Sequence, residues 1–359
     1  MTTETETREA LSKRVSKLIT RTIQRNIKGV EYFASAAPPV GLTPKETIYK
    51  RGTLKLYHYH AQTDEIYRVP ILIVMATTNR AYVMDIAPGG SLVEFLVKSG
   101  YDVFVMDWDP PRPEDKNLGL EDYTQDFIPA CLDRIRMETG EDDVTVIGYC
   151  MGGVLSVIYG ATHPDGPMKN LVCFTTPINW HEMGLFNAWS DKNSLDVDRL
   201  VDMVGVVPAD MIMTAFDMLR PASGITNRID LWDNLWNDQF VESYRKFDRW
   251  ANEGLPLPGE YFRQVTRELM WGNKLYTGEL TVGGKNANLA NIKVPLLHAV
   301  AEHDHIIQRK ASAPLVELAG SSDKEELVLK GGHISLVAGP NAVRRLWPKL
   351  DDWLSKRSV

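Results

Sequence analysis

The sequence lacks a cysteine framework and an excess of basic residues. Only three cysteines, Cys131, Cys150 and Cys173, occur among the 359 residues, too few and too widely spaced for a disulfide framework or for paired zinc ligands. Such scarcity is typical of a protein in a reducing cytoplasm. The formal net charge of −7 argues against a general nucleic-acid binder, because such proteins are usually basic.

Long hydrophobic segments are also missing. The longest apolar run, VPILIVMA at residues 69–76, is too short to cross a bilayer. The acidic start MTTETETREA has no hydrophobic region of a secretory signal. We therefore expect a cytoplasmic protein without a transmembrane segment. Hydrophobic residues make up 44% of the chain, which is enough for a globular core, and the length predicts two domains or one α/β domain with an insertion.

Residues 1–40 are predicted to form an N-terminal helical segment. Apolar residues recur there at intervals of three and four, which places them along one side of a helix. They are Leu11, Val15, Leu18, Ile19, Ile23, Ile27 and Val30. The prolines of SAAPPVGLTP then end the helix. We interpret this apolar stripe as packing against the rest of the chain, and the alternative is that it recruits a partner helix.

Strand-like and helix-like segments alternate over residues 41–177 and again over residues 293–359. The segments VPILIVMA, YDVFVMDW, VTVIGY, NLVCFTTP, VPLLHAVAEHD and KEELVLKG have the pattern of strands. Strands that alternate with helices indicate a mostly parallel sheet with helices on both faces. Residues 178–292 break the alternation and hold six of the nine tryptophans. An insertion of this length is not a structureless loop, so we predict a mainly helical cap inserted into an α/β core.

The segment VTVIGYCMGGV places Cys150 between a strand and a helix. Its Gly-x-Cys-x-Gly pattern is the nucleophile elbow of α/β hydrolases, with sulfur in place of the usual serine oxygen. The Met151 N–H would be one donor to an oxyanion, and the helix N-terminus favours a thiolate. A structural cysteine in a Gly-rich turn is the alternative. Cys131 and Cys173 lie in apolar segments and are expected to be core residues.

Two further residues complete a catalytic set with Cys150. In enzymes with this elbow, the chain order is nucleophile, acid and histidine. Asp304 follows the strand VPLLHAVAEH, and His333 follows the strand KEELVLKGG. Both are therefore predicted at the C-terminal edge of the sheet, where α/β proteins bind their ligands. His333 would accept the thiol proton, and Asp304 would orient the imidazole and stabilise its charge.

Other titratable residues compete for a functional role. His58 and His60 share one strand face, as a metal pair would, but no third ligand accompanies them, and we predict no metal site. His298 lies within an apolar strand and is expected to be a hydrogen-bonded core histidine. Asp107 also ends a strand, but it precedes the nucleophile, and the chain order argues against it.

Several longer motifs resemble those of polyhydroxyalkanoate synthases, specifically the short catalytic subunits of the two-component class III and class IV enzymes. From about residue 41 onward, these motifs are GLTPKE, NRAYVMD, SLVEFLVKSGYDVFVMDW, GYCMGG, PGEYFRQ, NKL, AEHDHI and GGHISL. The resemblance implies an α/β-hydrolase core with Cys150 as nucleophile, Asp304 as acid and His333 as base. Ala81 and Tyr149 depart from residues common in the family, and both departures bear on acyl-chain preference.

The resemblance also implies a substrate and a site. The substrate would be a 3-hydroxyacyl-CoA, such as short-chain 3-hydroxybutyryl-CoA, and Cys150 would hold the acyl group as a thioester until another hydroxyl captures it. The loop after VPILIVMA would supply a second oxyanion N–H from Thr78 or Asn79. The cap would shield the acyl-enzyme from water. Candidate pocket residues are Tyr82, Trp108, Tyr149 and Asn273.

The resemblance further implies partners: a second synthase subunit, a homodimer formed through the cap, and a growing polyester chain on cytoplasmic granules. No cofactor is expected, because the CoA thioester is the substrate and CoA is a product. Two alternatives stay open. One is a Cys-dependent thioesterase or dienelactone-type hydrolase with the same elbow. The other is a non-catalytic granule-surface protein, against which the ordered Cys, Asp and His argue.

Overall fold

The computed structural model describes residues 2–359 and every side chain among them except those of residues 2–12, 15, 33, 34, 189 and 223. The strands, in chain order, are β1 (Lys45–Arg51), β2 (Leu54–Tyr59), β3 (Ile71–Val74), β4 (Val103–Trp108), β5 (Val144–Tyr149), β6 (Met168–Phe174), β7 (Val206–Val207), β8 (Leu257–Pro258), β9 (Thr281–Val282), β10 (Lys285–Asn286), β11 (Leu296–Ala301) and β12 (Lys324–Leu329).

The α-helices begin with a long N-terminal one and include several short ones. They are α1 (Thr2–Ala34), α2 (Leu92–Lys98), α3 (Ile128–Thr139), α4 (Met151–Thr162), α5 (Leu185–Trp189), α6 (Val197–Val204), α7 (Ala209–Asp217), α8 (Ser223–Asn234), α9 (Asp238–Asn252), α10 (Gly259–Gln264), α11 (Lys274–Thr277), α12 (Arg309–Ser312), α13 (Pro314–Leu318) and α14 (Trp347–Ser355). Short 3-10 and π turns extend some of them, such as the π turn Asp122–Phe127 that leads into α3.

An eight-stranded sheet forms the centre of the fold, in the order β1-β2-β4-β3-β5-β6-β11-β12. In this sheet order, the six strands β4, β3, β5, β6, β11 and β12 each run parallel to the next. The strands β1 and β2 are antiparallel to their neighbours. Strands β3, β4, β5 and β11 are buried along their whole length, as expected when helices cover both faces of a parallel sheet. The predicted α/β fold with a mostly parallel sheet is confirmed.

Residues 178–292, the segment predicted as a cap, enter between β6 and β11 and contain the helices α5 to α11. Two contacts hold this segment against the loop that follows β3. The Trp250 indole N–H donates to the Arg80 carbonyl at 3.0 Å, and the Leu255 N–H donates to the Thr78 carbonyl at 2.8 Å. The cap is therefore fixed directly to the loop in which the second oxyanion donor was predicted.

The described part of the apolar stripe of α1, from Leu18 to Val30, does not pack against the rest of the chain, and the side chains of Leu11 and Val15 lie outside the described ones. Among its described side chains, Ile23 is 55% exposed and Val30 is 72% exposed. The opposite face contacts the cap instead: the Arg25 guanidinium lies 5.0 Å from the Trp232 ring centre, and Lys28 pairs with Asp238 at 3.0 Å. The interpretation that the stripe docks on the body is wrong for the described residues, because cations and aromatic rings hold this helix by its polar face.

Within residues 2–359, none of the helices combines the length and the hydrophobicity that a membrane span requires.

Candidate active site

A strained turn between β5 and α4 presents Cys150. Its backbone has φ 54° and ψ −118°, a conformation that costs energy for a non-glycine residue and that occurs at functional sites. A Cβ on Gly152 would collide with the Val74 carbonyl, and a Cβ on Gly153 would collide with the Thr176 side chain. The glycines are needed because α4 starts directly against the backbone of β3 and the loop after β6. The sharp turn leaves the Cys150 side chain half-buried at the sheet edge.

His333 and Asp304 lie at the same edge as Cys150. The His333 Nδ1 is 2.7 Å from the Asp304 Oδ2, and the Cys150 side chain is close enough to the same ring to raise its pKa. Asp304 follows β11, and His333 begins a 3-10 turn after β12. Both residues are only 6% exposed. The structure thus brings together the thiol, the imidazole and the carboxylate that the sequence analysis selected.

The Asp304 carboxylate is held by four hydrogen bonds. The Thr175 hydroxyl donates to Oδ2 at 2.5 Å, and the N–H groups of Ile306 and Ile307 donate to Oδ1 at 2.9 Å each. His333 completes the set. Thr175 has φ 44°, which is rare for a β-branched residue, so the loop after β6 is strained where it supports the acid. The sequence analysis missed Thr175.

The electrostatics of this group favour an ionised pair. Burial alone would lower the pKa of His333, but the charges and hydrogen bonds of Asp304 and Cys150 raise it to about 10. Burial alone would raise the pKa of Asp304, but His333, Thr175 and the Ile307 N–H hold it below its usual value. An imidazolium at neutral pH is the form that stabilises an adjacent thiolate.

Two of the three predicted oxyanion donors, Met151 and Thr78, line the cavity that contains Cys150. Met151 is the first residue of α4, so its N–H is among those without an acceptor inside the helix. Thr78 lies in the loop after β3 and lines the same cavity as Cys150 and Met151. The side-chain oxygen of Asn79 accepts a hydrogen bond from the Thr78 hydroxyl at 3.0 Å. Of the two candidates in this loop, Thr78 is the one that borders the cavity.

A cavity of about 550 Å³ opens over Cys150. This volume lies in the range of ligand pockets. Cap residues form most of its wall, and α7 contributes the largest group. Besides Cys150, Met151 and Thr78, the wall consists of Thr77, Pro177, Trp180, Met183, Phe186, Ser190, Leu195, Asp210, Met211, Ile212, Thr214, Ala215, Phe216, Met218, Leu257, Tyr261, Phe262, Val265, Thr266, Met270, Ile306 and Ile307. Its largely apolar character suits an acyl chain.

The four residues named as pocket candidates lie outside this wall. The Tyr82 hydroxyl donates to Glu253 at 2.8 Å, between the core and the cap. Trp108 is 3% exposed and packs in the core, where its indole N–H donates to the Met75 carbonyl at 3.2 Å. Both side chains therefore stabilise the loop after β3 from outside the cavity.

Tyr149 and Asn273 contact residues of the site from outside the cavity. The Tyr149 ring centre is 5.2 Å from that of His333, and its buried hydroxyl has no hydrogen-bond partner among the described residues. Asn273, at φ 49°, accepts from the Trp180 N–H at 2.9 Å, which fixes the position of a residue of the cavity wall. Tyr149 thus packs on the imidazole, and Asn273 supports the wall.

The competing residues serve the fold. His58 is 2.7 Å from Asp102 and stacks on Phe104, and no cluster of three or more metal-ligating side chains occurs among the side chains that the structure describes. His298 is fully buried, but neither ring nitrogen has a partner among the described residues. The expectation of a hydrogen-bonded His298 is therefore wrong, and burial lowers its pKa to about 3. Asp107 accepts from the Ala81 N–H at 2.9 Å.

Most wall residues were not singled out from the sequence. Tyr261 and Phe262 belong to the motif PGEYFRQ, which indicated the resemblance to the family but assigned no role to either residue. The methionines of residues 178–292 were a usable signal, since Met183, Met211 and Met218 all line the cavity. Of the tryptophans in this segment with described side chains, Trp180 alone lines it.

Comparison with known proteins connects this site to a family. Residues 70–340 match the alpha/beta hydrolase fold, and residues 27–96 match the N-terminus of poly-beta-hydroxybutyrate polymerase, PhaC. The chain is 33% identical over 338 residues to the poly(3-hydroxyalkanoate) polymerase subunit PhaC of Allochromatium vinosum, and the match covers 92% of this chain and 94% of that protein. This chain belongs to the poly(3-hydroxyalkanoate) polymerase family.

Some members of the polymerase family are longer than the region that matches this chain. The PhaC subunit of Haloferax mediterranei is 35% identical over 321 residues, which cover 89% of this chain and 65% of that protein. Among solved structures, a monoglyceride lipase from Saccharomyces cerevisiae matches with a TM-score of 0.55 at 17% identity, covering 90% of this chain and 98% of that one. At this identity, the match shows that the two proteins share a fold and no more.

Proposed function

We propose that this protein is an acyltransferase that polymerises 3-hydroxyacyl-CoA thioesters, short-chain ones such as 3-hydroxybutyryl-CoA, into polyester. One observation carries the proposal: the Cys150 thiol, backed by His333 and Asp304, lies at the wall of a largely apolar cavity in a chain of the polymerase family. A serine nucleophile at this turn would suit a hydrolase. Sulfur suits an enzyme that must keep its acyl group activated.

The first half-reaction is a thioester exchange. The Cys150 thiolate attacks the carbonyl carbon of the acyl-CoA, and the negative charge on the carbonyl oxygen is stabilised by the N–H of Met151 and one from the loop at Thr78. The new carbon–sulfur bond to Cys150 forms as the bond to CoA breaks. The His333 imidazolium gives its proton to the departing CoA thiolate. One thioester replaces another, so the step has little driving force of its own.

The second half-reaction makes the polymer. The hydroxyl of another hydroxyacyl unit attacks the acyl-Cys150 carbonyl, and His333 takes the hydroxyl proton. The carbon–oxygen bond forms, the bond to Cys150 breaks, and the thiolate returns. The product is an oxyester, which is more stable than a thioester, so this step runs downhill. Water is the competing acceptor, and the apolar cap wall would exclude it.

A thioesterase with the same elbow is the alternative that the experiment must separate. The purified protein is incubated with 3-hydroxybutyryl-CoA, and CoA release, soluble 3-hydroxybutyrate and turbidity are measured together. The proposal predicts CoA release with growing turbidity and with polymer that can be extracted. CoA release matched by an equal amount of soluble acid would contradict the proposal. The proposed reaction needs no cofactor, because the CoA thioester is its substrate.

The finer assembly of the enzyme is also part of this proposal. We propose a cytoplasmic enzyme at the surface of polyester granules, which forms a homodimer through the cap and binds a second synthase subunit. The exposed stripe of α1, which includes Ile19, Ile23 and Ile27, is the proposed contact for that subunit, because the cap holds this helix by its other face. Ile23→Ser with Ile27→Ser should lower activation by a candidate subunit and leave basal CoA release unchanged. Equal activation of the variant would contradict this contact.

A further inference from the structure

A tyrosine of the cap borders the cavity that contains Cys150. Tyr261 lies on α10, is 1% exposed, and lines the same cavity as Cys150. Helix α10 is fixed closely against the end of α6, because the Gly259 N–H donates to the Gly205 carbonyl at 2.9 Å and a Cβ on Gly259 would collide with that oxygen. The ring centre of Tyr123 lies 4.8 Å from that of Tyr261. The position of the phenol is thus determined by packing.

Among the described residues, the Tyr261 hydroxyl has one partner, the Thr77 hydroxyl, which donates to it at 3.2 Å. A pair of hydroxyls holds two protons, and the hydrogen bond between them uses one. Whichever oxygen donates, one proton of the pair remains uncommitted among the described residues. Burial raises the pKa of Tyr261 most, the hydrogen bond with Thr77 lowers it, and the charge at Cys150 raises it again, so the phenol keeps its proton.

The other hydroxyls of the cavity wall are committed to protein acceptors. Thr78 donates to Asn79, and the remaining three donate to carbonyls one turn earlier in their helices. Those three are Ser190, Thr214 and Thr266. The wall therefore offers one hydroxyl proton, beside Cys150, in largely apolar surroundings. Such a proton is costly to leave unpaired when a bound ligand excludes water.

A hydroxyacyl group carries two oxygens that need donors. The carbonyl oxygen has the backbone N–H groups of the oxyanion site. The oxygen at position 3 has no donor in that set, and it is the feature that separates a hydroxyacyl chain from a plain acyl chain. We propose that Tyr261, paired with Thr77, donates a hydrogen bond to this 3-oxygen and so selects 3-hydroxyacyl thioesters over plain acyl thioesters. This inference rests on the proposed function.

The test compares two substrates that differ in this oxygen alone. The first release of CoA, one per Cys150, is measured by rapid quench and chromatography for 3-hydroxybutyryl-CoA and for butyryl-CoA, because butyryl-CoA has no hydroxyl that could remove the acyl group from Cys150. The concentration dependence of this first release gives kcat/KM for the native protein and for Tyr261→Phe, which keeps the ring. We expect Tyr261→Phe to lower kcat/KM for 3-hydroxybutyryl-CoA by about tenfold to hundredfold and to leave butyryl-CoA within about twofold, because a site built to bind a hydroxyl discriminates through it. An unchanged ratio, or an equal loss with both substrates, would overturn the inference.

Two controls separate substrate recognition from structural damage. Trp180→Phe removes the other wall donor without a partner among the described residues and should leave the substrate ratio unchanged; a similar collapse of the ratio in this variant would contradict the assignment to Tyr261. Alkylation of Cys150 by iodoacetamide should proceed equally in Tyr261→Phe and in the native protein, and a slower reaction would show a structural role instead.

The outcome for the native protein separates this inference from the proposed function. CoA release from neither substrate, with Cys150 still open to alkylation, would refute the proposed function and the Tyr261 inference with it. Normal CoA release with an unchanged substrate ratio in Tyr261→Phe would refute the Tyr261 inference alone.

Discussion

The sheet edge and the cap are built in opposite ways around one cavity. At the edge, Asp304 and His333 are 6% exposed and held by short hydrogen bonds. In the cap, α7 has no buried residue, although its side chains form much of the cavity wall. The reacting groups are therefore buried and held by hydrogen bonds, whereas the α7 part of the wall has no buried residue. We infer that the edge sets the chemistry and that the cap sets the choice of substrate.

The largest expected effect lies at the edge. Cys150→Ala should reduce CoA release by about a thousandfold or more, because the covalent intermediate cannot form. Cys173→Ala is the matched control: Cys173 is fully buried in β6 and should cost about 1 kcal/mol of stability without loss of activity. Steady-state rates and thermal melts check both. Appreciable CoA release by Cys150→Ala would refute the role of Cys150 as the nucleophile at the sheet edge.

The elbow should be intolerant of a single methyl group. Gly152→Ala places a Cβ against the Val74 carbonyl, and we expect it to destabilise the protein by about 3 kcal/mol or more. Gly224→Ala is the control in the cap, where a Cβ meets nothing within 4 Å. In helix α8 it should stabilise by up to about 1 kcal/mol. Urea unfolding measures both, and equal small effects would show that the two regions do not differ in packing.

The pair His333–Asp304 predicts how stability depends on pH. The lowered pKa of Asp304 stabilises the fold above about pH 4, the ordinary range of Asp, and this contribution is lost as the pH falls through the lowered value. The raised pKa of His333, about 10, stabilises the fold fully below about pH 6.5, and this contribution is lost as the pH rises to about 10. Together they stabilise most between about pH 4 and 6.5.

Asp304→Asn removes both contributions. Its loss in free energy of unfolding, measured in urea, should be larger at about pH 5.5 than at about pH 9.5. His333→Gln should show the same trend, since it removes the same pair. A loss that is independent of pH, or larger at the alkaline value, would contradict the ionised pair.

The smallest expected effect lies in the cap. Phe216 packs edge-on against Phe186, with ring centres 5.7 Å apart, and both line the cavity. Phe216→Ala should widen the wall and shift the preference toward longer acyl chains by several-fold in KM, with kcat for 3-hydroxybutyryl-CoA nearly unchanged, because binding and not chemistry is altered. A panel of acyl-CoA lengths tests this. A large loss of kcat would show that the cap takes part in the chemistry.

Local patterns were sufficient to predict the edge. An apolar run ending in Gly-x-Cys-x-Gly predicts a strand, a turn and a helix within a few residues. The residues after β11 and β12 are predicted at the same edge of the sheet, because parallel strands all end there. Thr175 was missed because its hydrogen bond to Asp304 joins two strands far apart in the chain. The antiparallel strand β1 was also missed, since it has no buried residue and therefore no hydrophobic pattern.

The cavity wall could not be predicted in the same way. Tyr82 and Trp108 lie in family motifs beside the site, yet their side chains point to partners in the cap and the core. Which face of a segment meets the cavity depends on packing between distant elements. The stripe of α1 illustrates the same limit, because periodicity identifies an apolar face and not the surface that covers it.

The most direct test of the account is the mass of the protein during turnover. The native protein is mixed with 3-hydroxybutyryl-CoA, quenched in acid within the first turnovers, digested and analysed by mass spectrometry. The account predicts one or more hydroxyacyl units on the peptide that contains Cys150, removable by hydroxylamine as a thioester and absent from Cys150→Ala. Product formation with an unmodified Cys150 peptide, or with the acyl group on another residue, would contradict it.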